Sequence, residues 1–327
     1  MIRKKKEMTQ SPIGKKLKKY LKFFISVALS FIILFLIYKR IDFAALSKHI
    51  LQVRILPMLV FLFLFVPQLL VATWRWNLLT GNIGGVRFSM SASFKQVVGS
   101  YSANLIIPGK MGEIVRIPWM RKYNMKTATL LLVMLEKMLD ALAIMIILFI
   151  SAALYRIIFR DHPVVLDIAL PVLFLSFILL AFIYIYRRRL SQYIENRFSG
   201  YLKKKGDNFF YFRLKAAFNA VNRDITKYLS ISVLLWFIQG LGLVMIFQMF
   251  SIRISPVMIY AGSFIALIAG AVPVSIAGFG PRDAVIISFF RHLASYEALA
   301  GVGIISLFRI IIPALIGLPF FLLQTKE

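Results

Sequence analysis

The sequence predicts an all-α fold, a polytopic helical bundle integral to a membrane, with about six full spans plus two broken, re-entrant hairpin segments. Three observations carry that prediction. The 327 residues are 60% hydrophobic, with a mean hydropathy of +0.81, where a soluble domain is roughly 45–50% apolar. Several apolar runs are continuous and long enough to cross ~30 Å of hydrocarbon, whereas a membrane barrel would alternate. Two stretches rich in proline, glycine and charge, Asn104–Arg116 and Pro273–Asp283, interrupt that background in the two halves of the chain. Discontinuous helices in corresponding positions are the usual sign of a midplane site, and of an inverted repeat.

Taken in order, residues 1–22 form a basic tail with nine Lys/Arg. The apolar run Phe23–Tyr38 ends in Lys39-Arg40 with no small-residue cleavage site, so it reads as an uncleaved first span with a cytoplasmic N-terminus. Ile55–Trp74 is a second span, kinked by Pro67, and Trp74-Arg75-Trp76 reads as an interfacial belt with a snorkelling cation. Phe94–Ile107 has 14 residues, about 21 Å at ~1.5 Å per residue. It is too short to cross and is expected to dip in and return through Pro108-Gly109.

Thr127–Tyr155 and Val164–Tyr186 are further spans. Residues 187–228 carry eleven Lys/Arg among aromatic residues and read as amphipathic helix on the cytoplasmic surface. They separate a first half, 23–186, from a second, 229–323, of one membrane domain covering 23–323. Tyr228–Phe250 spans again, with Gly240 and Gly242 allowing close helix approach. Pro256–Ala277 runs into the second broken stretch, Ala284–Leu293 is too short to cross alone, and Leu299–Leu323 is the last span. The tail and residues 187–228 hold half of the 40 Lys/Arg, which places both inside. The loops at 39–54 and 156–162 carry four and two.

The net charge of +27 fits cytoplasmic segments facing anionic lipid. No aromatic-basic interleaving points to nucleic acid. There is no cysteine, and His49, His162 and His292 lack metal-ligand spacing, so no metal and no cofactor are expected. Metalloprotease, serine-hydrolase, phosphate-loop and dinucleotide motifs are all missing, and the reading favours a transporter over an enzyme.

The chemistry is concentrated in charges at membrane depth. Each costs ~2.5–3.5 kcal/mol to insert, so a chain that holds Glu113, Arg116, Glu136, Lys137, Asp140, Arg282, Asp283 and Arg309 must pair or hydrate them. Glu136 and Asp140, four apart, share a helix face. Glu113 and Arg116 are spaced for a local pair. The bland reading is helix-to-helix ion pairing. The functional one is a cavity where Arg116, Arg282 and Arg309 receive a phosphate. Glu113, Glu136, Asp140 and Asp283 then balance those cations or meet a positively charged headgroup. Asn104, Pro108, Gly112, Pro273, Gly278 and Gly280 shape the broken backbone around it. The two breaks differ in spacing, five residues from Pro108 to Glu113 and ten from Pro273 to Asp283.

Three motifs carry a resemblance. Pro108 to Arg116 resembles a hallmark Pro-x-x-x-Gly-Glu-x-x-Arg. Glu136-Lys137-Met138-Leu139-Asp140 resembles Glu-Arg-x-x-Asp, with Lys137 in place of the arginine. Pro273 to Gly280 resembles Pro-x-x-x-x-Gly-x-Gly, followed here by Arg282-Asp283 where the motif continues to a glutamate. Together they resemble the lysylphosphatidylglycerol synthase transmembrane-region family, which is flippase-like, over about residues 20–323. The resemblance implies a lipid-handling membrane domain. In well-known members it is joined to a cytosolic aminoacyltransferase domain and moves aminoacylated phosphatidylglycerol to the outer leaflet. Others stand alone and are linked to glycan or polyprenyl-lipid pathways. The chain ends at Glu327, so a stand-alone member is expected. The expected partners are a membrane phospholipid or polyprenyl-phosphate lipid, the anionic lipid surface through the basic segments, and a separate transferase. A homo-oligomer is compatible with the pattern. The alternative is an intramembrane enzyme or subunit in lipid aminoacylation or lipid-linked glycan synthesis.

Overall fold

The computed structural model describes residues 35, 39, 41–105, 107, 111–158, 174, 208–271 and 280–326. The basic tail, the first predicted span, the Val164–Tyr186 span, residues 187–207, and Pro108, Pro273 and Gly278 lie outside the described residues. Among those described, all regular structure is helical: α1 (Phe43–Leu51), α2 (Ile55–Phe63), α3 (Phe65–Asn82), α4 (Met90–Ala103), α5 (Arg116–Trp119), α6 (Lys126–Ile158), α7 (Asn208–Met249), α8 (Pro256–Ala271), α9 (Pro281–Phe290), α10 (Tyr296–Ile305) and α11 (Phe308–Lys326). The chain is a polytopic helical membrane protein. Four helical stretches, Ile55–Asn82, Ala128–Ile158, Asp224–Met249 and Tyr296–Gln324, are long and apolar enough to cross a membrane.

Local chemistry sets the boundaries. Asp42 caps α1, its carboxylate accepting from the amides of Ala44 and Ala45 at 2.8 and 3.3 Å, so residues 39–54 are not all loop as expected. The Ile55–Asn82 span is interrupted at Leu64. Pro67 explains the interruption: it has no N–H for the carbonyl of Phe63, and its ring crowds that carbonyl. The span also runs on to Asn82, eight residues past its expected end at Trp74. Residues 208–223 continue as helix into the span at 224–249, with a departure from helical backbone at Asp224 (φ −115°, ψ 15°). The last span is divided between α10 and α11. Ser306 bonds back to the Val302 carbonyl at 2.6 Å, a bond that bends helices. Tight turns close the gap, with Leu307 and Arg309 amides donating to Ile304 and Ser306.

Both broken segments are hairpins of short helices. In the first, α4 leads into an irregular stretch, a tight turn at Gly112–Val115, and α5. Asn104 caps the return, its side-chain oxygen accepting from the Gly112 amide at 2.7 Å. Only glycine fits at 112, because a Cβ there would stand 2.5 Å from the Ser100 carbonyl. In the second, the 16 residues of α8 measure about 24 Å, and α9 restarts after Gly280. Gly280 has φ +90°, a conformation that glycine adopts at little cost. Pro281 is the first residue of α9, and the Asp283 carboxylate accepts from the Gly280 amide at 3.3 Å, the return half of a capping box whose other half glycine cannot supply.

The order long helix, short helix, break, short helix, long helix therefore occurs twice, and the packing is reciprocal. The first arm of hairpin one, α4, lies on α11, while that of hairpin two, α8, lies on α6. The α4–α11 contact is close: Ser102 donates to the Ala314 carbonyl at 2.6 Å, and Gly317 faces the Val98 carbonyl with no space for a side chain. The main core lies among α6, α7, α8, α9 and α10, with Phe247, Phe264 and Phe290 fully buried. Outer faces are apolar and exposed, for example Leu130, Met134 and Met138 on α6 and Leu315, Leu318 and Leu322 on α11. Such faces suit acyl chains and leave the polar groups to the interior.

Gly317→Val is expected to separate α4 from α11 and to cost about 1–3 kcal/mol, as overpacking does. Thermal unfolding of detergent-purified protein checks it. A wild-type midpoint would show that the two helices do not need this approach.

Candidate functional site

Four helices of the first half, α3, α4, α5 and α6, and one of the second, α7, meet at a chain of buried charges. Arg75 on α3 stands at its centre. Its Nη2 donates to Glu136 Oε1 at 3.0 Å and to Asp140 Oδ2 at 3.4 Å. Its Nη1 donates to Asp140 Oδ1 at 2.5 Å and to Ser232 Oγ on α7 at 2.8 Å. The second oxygen of Glu136 accepts from Arg116 Nη1 at 2.8 Å. Arg116 also donates from Nε and Nη2 to Ser100 Oγ, at 3.1 and 2.8 Å. Its guanidinium lies 4.4 Å from the ring centroid of Trp76, a cation–π contact that partly replaces lost hydration. Asp140 further accepts from Trp236 Nε1 at 3.0 Å.

The expected local pair gives way to partners on another helix: Glu113 meets Lys137 of α6 at 2.8 Å, and Arg116 meets Glu136. The turn at Gly112 is what makes this happen. It tucks the second arm of the hairpin against α6, where the Glu136-Lys137 dipeptide offers both signs of charge. Lys137, standing where the resembled motif has arginine, still forms an ion pair. Its side chain is 40% exposed, against 8% for Glu113.

The interfacial reading of Trp74-Arg75-Trp76 is overturned. Arg75 is 3% exposed and Trp76 is fully buried, donating from Nε1 to Gln96 at 2.7 Å. The helix does not end there, and Arg75 and Trp76 face the bundle rather than a headgroup layer, while Trp74 is 43% exposed. Arg75 is the principal site residue that the sequence reading missed. Its flanking tryptophans imitated a membrane-surface anchor. The available signal was its own: a lone arginine in a span needs carboxylates, and Glu136/Asp140 form a pair on one face.

The second half contributes two arginines of different standing. Arg282 lies against Asp283, at 3.0 Å from Nε and 2.7 Å from Nη2 to Oδ1, and Nη2 also donates to the Gly303 carbonyl at 3.0 Å. Asp283 thus orients Arg282 and caps α9. It stands behind the cavity wall rather than on it, as does the Gly280 turn. Arg309, one turn after the helix break, donates from Nη2 to Gln239 Oε1 of α7 at 2.8 Å. Among the described residues no carboxylate pairs with it.

These groups enclose a cavity of about 160 Å³, lined by Arg75, Arg116, Glu113, Glu136, Lys137, Asp140, Arg282 and Arg309, with Asn104, Tyr101, Gln68, Trp236 and Gln239 among its other walls. Asn104, Glu113, Arg116, Glu136, Asp140, Arg282 and Arg309 of the expected site are brought together. Two buried atoms of the wall have no hydrogen-bond partner, Arg75 Nε and Glu113 Oε2. The charge balance is uneven. Arg75, Arg116 and Lys137 stand against Glu113, Glu136 and Asp140, and Arg282 stands against Asp283. Arg309 is the cation left over among the described residues.

Removing one partner of a buried pair strands the other, at about 3–5 kcal/mol. Arg75→Met is therefore expected to lower the unfolding midpoint far more than Lys137→Met, whose cation is partly in solvent. Equal shifts for the two variants would contradict the central place of Arg75.

No curated protein sequence matches this chain. The sequence does match a family described as Lysylphosphatidylglycerol synthase TM region over residues 23–317, which takes in both hairpins and every charged group of the cavity. The chain is a membrane protein of this lipid-handling family: it belongs to the lysylphosphatidylglycerol synthase TM region family.

Proposed function

We propose that the chain translocates a lipid with a phosphate headgroup, as a flippase or scramblase does. The lipid is an anionic or aminoacylated phospholipid, or a polyprenyl-phosphate lipid. The membrane is the cytoplasmic one, with the N-terminus inside. The observation that carries this reading is the positive charge of Arg309, left over among the described residues in a cavity whose other cations are matched. A phosphodiester brings one negative charge and planar acceptor geometry, which suits a guanidinium. The unpartnered Glu113 oxygen supplies an acceptor for a headgroup ammonium. A volume of about 160 Å³ equals roughly five waters at ~30 Å³ each. That is room for a headgroup, with the acyl chains left in lipid along the exposed apolar faces.

The same Glu113 oxygen favours a second reading. A buried carboxylate oxygen with no hydrogen-bond partner, on a residue that lines the cavity, suits a general base, so an intramembrane transfer enzyme, or a subunit of one, is the alternative. Lipid extracts of a deletion strain separate the two. A lipid species that disappears favours the enzyme, and one that is made but stays in the wrong leaflet favours the flippase.

Purified protein in vesicles containing fluorescent phosphatidylglycerol is expected to move the probe between leaflets faster than empty vesicles, as read by chemical quenching of the outer leaflet. Arg309→Gln is expected to slow this by about tenfold or more, the loss of a charge-assisted contact. Movement no faster than in empty vesicles, with phospholipid and polyprenyl-phosphate probes alike, would remove the support for translocation.

A further inference from the structure

Helix α7 presents three polar side chains at i, i+4 and i+7, Ser232, Trp236 and Gln239, on the face opposite the exposed Leu234 and Phe237. Each meets a different charged group. Ser232 accepts from Arg75 at 2.8 Å, Trp236 donates to Asp140 at 3.0 Å, and Gln239 accepts from Arg309 at 2.8 Å. The first two contacts serve groups that already belong to ion pairs. The third does not. Gln239 is the polar group that holds Arg309, and it is neutral.

We propose that Gln239 is a specificity-determining residue: it orients the Arg309 guanidinium while leaving its charge uncancelled for an anionic phosphate group. This rests on the lipid-headgroup reading above and goes beyond it by naming the contact that sets the charge preference of the cavity. An arginine has five N–H donors. The amide oxygen of Gln239 takes one, at Nη2, and no other described residue takes a further one, which leaves donors for a planar, two-point grip on phosphate oxygens. A glutamate at 239 would have nearly the same shape and would hold Arg309 by the same atom. It would also supply the missing carboxylate, and the cavity would become balanced. Neutrality at 239 is therefore a selection rule as well as a hydrogen bond. It keeps this corner of the cavity attractive to an anion, while the carboxylates of the first half are held by Arg75, Arg116 and Lys137.

The test is a binding measurement and does not require transport. Detergent-purified wild type, Gln239→Glu and Gln239→Met are titrated in phosphate-free buffer with short-chain phosphatidylglycerol, with inorganic phosphate, and with short-chain diacylglycerol as the uncharged control. Wild type is expected to bind phosphatidylglycerol and not diacylglycerol. Gln239→Glu is expected to lose about tenfold or more in affinity. Gln239→Met, which keeps the charge and loses only its anchor, is expected to lose less. Should Gln239→Glu fail to elute as a well-behaved species, Arg309→Met takes its place with the same expected loss. Equal affinities for wild type and Gln239→Glu, wild-type affinity in Arg309→Met, or no binding by wild type would overturn the proposal. Binding of inorganic phosphate that phosphatidylglycerol does not displace would overturn the lipid source. If binding follows the expected order while vesicles show no translocation, the assignment of Gln239 stands and the transport reading falls.

Discussion

The interaction on which the rest depends is the grip of Arg75 on Glu136 and Asp140. It joins α3 to α6, and through Ser232 it reaches α7, so one guanidinium ties three long helices at a single level. In the interior of a bundle such a group is costly unless every charge has a partner. Glu136 is shared with Arg116, and Lys137 carries the pairing on to Glu113. The return arm of the first hairpin is therefore docked by electrostatics as much as by packing. Remove the arginine, and two carboxylates on one helix face are left four residues apart with one cation fewer between them.

This arrangement explains why the hairpins are needed. A continuous helix satisfies its own backbone and offers only side chains to a cavity. A broken one turns its return arm inward. At the first break, Asn104 and the lack of space beside Ser100 fix the turn at Gly112, and four residues later Arg116 meets α6. At the second, the left-handed Gly280 and the Asp283 cap start α9 so that Arg282 lies against Gly303 of α10. The two breaks use different local devices for one purpose, which is why their proline-to-acid spacings need not agree.

Much of this was legible in the sequence. The membrane class, the short hairpins and most of the cavity's charges follow from apolar run lengths and from the insertion cost of charge. What stayed hidden depends on which helix faces which. Trp74-Arg75-Trp76 matches an interfacial belt in composition and differs from one in that Arg75 and Trp76 are enclosed by the bundle. The Glu113–Arg116 spacing permits a local pair, and only the docking of the hairpin on α6 gives each a separate partner. Asp283 was grouped with the cavity carboxylates, and the cap geometry assigns it to Gly280 and Arg282 instead. The face of α7 carrying Ser232, Trp236 and Gln239 has no charge to draw attention. Its meaning appears once Arg75, Asp140 and Arg309 are seen beside it.

The leftover charge at Arg309 also has an electrical consequence. Counted over the described residues, an empty cavity carries one unmatched positive charge, and a cavity holding a monoanionic phosphate carries none. Should the cavity change the side to which it opens, a membrane potential would act on the empty form and not on the loaded one. The bias for a full crossing is ~2.3 kcal/mol per 100 mV. Loading the site would thus make its reorientation electrically silent and would leave the return of the empty site as the voltage-sensitive step. A diffusion potential imposed on vesicles would reveal this as a change in turnover that vanishes under exchange conditions, where the empty site never has to return.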